Sequence, residues 1–88
     1  MTVLFSPGQV FKTPGVSDIP QEVLLSALKR HLSGDWGDLS EGDKRLNDEA
    51  VKDGDRILSA YHAPDRTKFW IITESDRSAT TFLLPDEY

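Results

Sequence analysis

At Gly54 the hydrophobic period of this chain changes, and that change limits the fold more than any other feature. Before it, Leu24, Leu25, Leu28 and Leu32 recur at spacings of three and four, with Ala27 and His31 beside them. That is the stripe of an amphipathic helix. After it, residues 56–62 and 68–74 are rich in β-branched and aromatic side chains that alternate with polar ones, which is the period of a strand. A chain of 88 residues has room for one core only, so both patterns must share it. The expectation is a single α+β domain over residues 1–88: an extended arm (1–18), two helices (19–53) and a three-stranded antiparallel β meander (56–84).

The first helix is expected over about 19–33. Ser17 or Asp18 can cap it, Pro20 suits its opening turn, and Gly34 suits the position just past its end. The second is expected over about 41–53, opened by the capping sequence Ser40-Glu41-Gly42-Asp43 and stopped at Gly54. Its apolar face is thin, only Leu46, Ala50 and Val51, which puts it on the surface with Asp43, Asp48 and Glu49 turned outward. Trp36, between Gly34 and Gly37, should turn inward as a plug. The strands are joined by Ala63-Pro64-Asp65-Arg66-Thr67 and by Ser75-Asp76-Arg77-Ser78.

In the amino-terminal arm, Pro7-Gly8 and Pro14-Gly15 preclude a helix, and Phe5, Val10 and Phe11 should pin it to the core. One core is expected from Leu24, Leu28, Leu32, Trp36, Leu58, Trp70, Ile72 and Leu83. Strand 68–74 shows Phe69, Ile71 and Thr73 on one face and Trp70 and Ile72 on the other. With both helices on one face, either the arm covers the second face or apolar surface stays open for a partner.

The usual chemical motifs are missing. The chain has no cysteine, which removes disulfides, thiolate zinc sites and thiol nucleophiles. His31 and His62 lie far apart with no zinc spacing, and each reads as a structural residue. No serine sits in a nucleophile elbow. The acids around Trp36 fail the spacing of a calcium loop, and the glycines at 34, 37, 42 and 54 serve turns and helix ends rather than a phosphate loop. A non-enzymatic protein without cofactor or metal is therefore expected. The first residues lack the basic and apolar regions of a signal peptide, and no apolar run approaches the roughly 20 residues that span a bilayer. A sequence pI near 4.8 argues against direct binding to nucleic acid and to anionic membranes.

Charge has a location here. Residues 35–55 hold eight acids (Asp35, Asp38, Glu41, Asp43, Asp48, Glu49, Asp53 and Asp55) and three bases, and carry the whole net charge of −5. The plain reading is a solvated helix that keeps a small protein soluble. The functional reading is a negative patch that enters the basic channel of a nucleic-acid-binding protein or complex in place of DNA. A second class of function is also open, a self-associating module that pairs through the spare sheet face or an edge strand. The protein would be a monomer in the first case and a homodimer in the second.

The strings GDWGDLS (34–40), RILSAY (56–61), WIITE (70–74) and DRSATT (76–81) carry a resemblance. They are similar to a family of short, poorly characterised bacterial proteins found often on plasmids and integrative elements. The likeness spans about two thirds of the chain, from His31 to the end. It implies a bacterial cytoplasm and a mobile-element setting. In that setting an acidic, DNA-mimicking inhibitor of host defence, anti-restriction or anti-CRISPR, is the expected role.

Overall fold

The computed structural model describes residues 3–88. Its regular elements are strand β1 (Gln9–Lys12), helix α1 (Gln21–Leu32), helix α2 (Glu41–Asp53) and strands β2 (Ile57–His62), β3 (Lys68–Thr73) and β4 (Ala79–Leu83). Short 3-10 turns at Pro14–Val16 and Pro85–Glu87 complete it.

The α+β class holds, but among the described residues the sheet has four strands, in the order β1-β4-β3-β2. β2, β3 and β4 form the antiparallel meander, and β1 adds to β4 in parallel, with Gln9 opposite Ala79 and Lys12 opposite Phe82. The sheet is therefore mixed rather than a three-stranded meander. Part of the arm is a strand whose partner lies some 70 residues away in sequence. Val10 and Phe11 are not pinned inside: they stay 47% and 50% exposed. Phe5 is half-buried, stacked on Trp36 and edge-on to His31.

α1 covers one face of the sheet. Leu24 and Ala27 pack with Tyr61, Phe69, Ile71 and Phe82, and Val16 and Ile19 close the cluster. No side chain caps α1; Pro20 takes the N-cap position, because the preceding 3-10 turn draws Ser17 into a bond to the Pro14 carbonyl. α2 begins and ends where its capping residues require. The Ser40 hydroxyl accepts from the Asp43 N–H at 3.1 Å, and Gly54 closes the helix at φ 77°, a left-handed conformation that favours glycine.

α2 lies at the β2 edge, and its Ala50 meets Ile57 on the same sheet face as Tyr61 and Phe69. At that edge the buried Asn47 donates from Nδ2 to the Leu58 carbonyl (2.7 Å) and accepts at Oδ1 from the Leu58 N–H (3.3 Å). One residue pair further on, the Ala60 N–H donates to Trp36 O and the Asp38 N–H to Ala60 O (2.7 Å). Gly37 allows this approach: it sits at φ 76°, and a Cβ there would collide with the Ala60 carbonyl. The outer edge of β2 is thus sealed by a side-chain amide and by a short bridge.

The expected single core is two clusters. Trp36 belongs to the smaller one, with Ala50 and Ile57. Leu28 is half-buried against the larger one, and Leu58 and Trp70 are half-buried on the sheet face opposite α1. That second face is partly covered by the carboxyl terminus, with Tyr88 edge-on to Trp70 at 5.9 Å and Arg56 over the Tyr88 ring. Glu87 ties this end to the arm, accepting from Thr13 Oγ1 and the Gly15 N–H.

Candidate functional site

The eight acids of 35–55 lie on three segments: the loop after α1, α2 itself, and the turn that follows it. The structure assigns them different duties. Asp35 is bound by Arg30, with Nε donating at 2.7 Å, and this guanidinium holds its carboxyl below the usual carboxylate range. Asp48 accepts from the Trp36 indole N–H at 2.9 Å, so it anchors the buried plug rather than standing free. Asp38 lies 3.7 Å from His62 Nδ1, and Glu41 lies 3.8 Å from Lys44. Asp43, Glu49, Asp53 and Asp55 are exposed and make no ion pair among the described residues. Half of the acidic segment is therefore free to meet a partner's charge.

The helix also turns differently from the expected face. Asn47, not Leu46, is the buried residue beside Ala50, and Leu46 is left 62% exposed. The reason is the unpaired backbone of β2, which an amide can satisfy and a leucine cannot. Leu46 then stands over a cleft of ≈ 530 Å³ between the start of α2 and the sheet. Leu58 and Trp70 line the cleft with it, and Asp38 and Asp43 share its lining with Arg56 and Lys68.

Neither histidine sits among convergent reactive groups. His31 is fully buried, with Nδ1 2.5 Å from Ser59 Oγ and Nε2 2.9 Å from Thr73 Oγ1. The chain continues from Thr73 Oγ1 to Thr80 Oγ1 (2.8 Å), and Thr80 Oγ1 donates to the Pro7 carbonyl (2.7 Å). Because that carbonyl can only accept, the direction of donation is fixed from Nε2 onward, and with a neutral ring every atom is satisfied. Ser59 donates to Nδ1, the Nε2–H donates to Thr73, Thr73 to Thr80, and Thr80 to Pro7. The chain fixes a proton on Nε2; burial, which pushes the pKa down to about 3, keeps the ring neutral and leaves Nδ1 as the acceptor of the Ser59 hydroxyl. Among the described residues no three His, Asp or Glu side chains converge to hold a metal ion, and no helix is long and apolar enough to cross a membrane.

Sequence reasoning missed Asn47 and Arg77. Asn47 leaves one signal, a polar residue at the i−3 and i−4 spacing from Ala50 and Val51. Arg77 donates to the Ala50 and Asp55 carbonyls and lies over the Phe5 ring, joining the end of α2 to the arm. Nothing local announces that role. No protein-family model, no curated protein and no solved structure matches the chain.

Proposed function

We propose that this protein is a non-catalytic binding protein that docks a basic, nucleic-acid-binding partner on α2 and the cleft beside it. One observation carries the reading: Asp38 and Asp43 share a cleft with Leu46, Leu58 and the half-buried Trp70. An apolar centre with an aromatic residue, set beside polar and charged groups, is the anatomy of a protein interface. Within the cleft Arg56 and Lys68 balance the two acids, and the negative charge that meets a basic partner comes from the free carboxylates Glu49, Asp53 and Asp55 beside it. In the bacterial mobile-element setting implied by the resemblance, the partner is a host defence nuclease. The protein acts as its anti-restriction or anti-CRISPR inhibitor, occupying a channel meant for DNA.

The test is affinity capture from the host, followed by binding measurements on the partner that capture identifies. Changing Asp43, Glu49 and Asp53 together to Asn or Gln removes three charges and leaves Asp48 on its tryptophan. Binding should weaken about tenfold or more, mainly through a slower on-rate. It should also fall as salt rises, and DNA should compete for the same site. Salt-insensitive binding that survives the triple change would overturn the proposal.

A further inference from the structure

The two edges of the sheet are built differently. β2 is sealed by Asn47 and by the bridge at Gly37, whereas β1 has no strand beyond it among the described residues. Within β1 the Gln9 N–H donates to Ser78 O, and the Thr13 N–H just past its end donates to Phe82 O. Alternation then turns the N–H and C=O groups of Val10 and Lys12 outward, away from β4. All four residues of β1 are exposed. Val10, on the α1 side of the sheet, lies in one shallow cleft with Leu24, Leu25 and Phe82, and Leu25 is 48% exposed. Phe11 points to the opposite side, in line with Thr81 and Ile72.

We infer that β1 pairs antiparallel with β1 of a second copy, about a two-fold axis through Phe11. The strand's own chemistry selects this occupant. Centred on Phe11, the outward-facing Val10 meets the outward-facing Lys12 of the other copy, and the reverse, so both residues exchange both backbone bonds. Four hydrogen bonds form with no group left over, and Phe11 faces its own counterpart across a non-hydrogen-bonded pair, where side chains approach closest. The same axis sets both α1 helices on one face of a continuous eight-stranded sheet, bringing Val10 and Leu25 of each copy toward the other's. One operator therefore covers all three exposed apolar side chains of this edge, as an isologous interface requires. A lone lysine often guards an edge strand against pairing. In this register the two Lys12 side chains do not oppose each other. Each crosses the other copy's Val10 with its stem, and its ammonium stays in water.

Four-residue strands make a small interface, so the dimer should be of micromolar strength, at the low end of the specific class. Light scattering and sedimentation of the full chain should show a monomer–dimer equilibrium. Each copy carries −5, so added salt should strengthen it, the reverse of its effect on docking to a basic partner.

Register can be read directly, because the chain has no cysteine. At a non-hydrogen-bonded pair the Cα atoms lie about 4.5 Å apart, within disulfide range. Phe11→Cys should therefore cross-link to a covalent dimer under mild oxidation, while Val10→Cys should cross-link at least tenfold more slowly. Val10→Pro removes only an outward N–H; it should keep the native circular dichroism and abolish the dimer. A monomer at all concentrations up to millimolar would overturn the inference. So would a dimer that survives Val10→Pro, or cross-linking that is equally fast at both positions. Capture experiments with Val10→Pro keep this result separate from the acidic surface, which lies beyond the opposite edge.

Discussion

Among single residues, His31 has the largest consequence. Its folded pKa of about 3 lies below the unfolded value of 6.5, so the unfolded chain takes up a proton first as pH falls. The stabilisation is fully present above pH 6.5 and is lost between 6.5 and about 3. At 1.36 kcal/mol per unit the full loss approaches about 5 kcal/mol, as large as the total stability of many small domains. Urea unfolding at pH 7 and pH 4.5 should show a much lower midpoint at the acid value. Ser59→Ala should cost about 1–3 kcal/mol at pH 7, because it leaves Nδ1 buried without its donor. A stability that is flat across this pH range would contradict the neutral, fully bonded imidazole. None of this network could be read from the sequence. It joins one residue each from α1, β2, β3, β4 and the arm, and the only hint was a histidine on an apolar stripe.

Among the elements, those with local start and stop signals were legible and those defined by distant partners were not. α2 fell within its expected bounds because Ser40 and Gly54 act on their own backbone, whatever surrounds them. The meander was legible from its period and its turns. β1 was legible only as part of an extended arm: four residues between two Pro-Gly breakers show no period, and nothing in them announces pairing with β4. The face of α1 was legible only in part. Leu24 and Leu25 are adjacent leucines on the same stripe, yet one is 3% exposed and the other 48%. Leu24→Ala should therefore cost about 2–5 kcal/mol in a thermal or urea melt, whereas Leu25→Ala should stay within about 0.5 kcal/mol at concentrations where the chain is monomeric. Equal losses would mean that α1 is rotated from the orientation described. The candidate site was half legible for a similar reason. The sequence locates the eight acids, but only the fold commits Asp35 to Arg30 and Asp48 to Trp36 and sets Asp38 by His62 and Glu41 by Lys44, leaving four without a partner.

For the whole molecule, the difference between the sheet's two edges matters most. In the language of polymers, a monomer with two reactive ends grows into a chain, and a monomer with one stops at the pair. Asn47 acts as an end-cap: by occupying the Leu58 N–H and C=O it makes this protein monofunctional, so strand pairing at β1 ends at two copies. Asn47→Val should remove the cap while keeping the volume of the side chain. The expected result is scattering that rises with time and concentration beyond the dimer, with thioflavin-positive material at high loading. A variant that remains a discrete dimer would show that Gly37 and its bridge suffice to close that end. If the cap is essential, a single amide separates a finite assembly from an open-ended one.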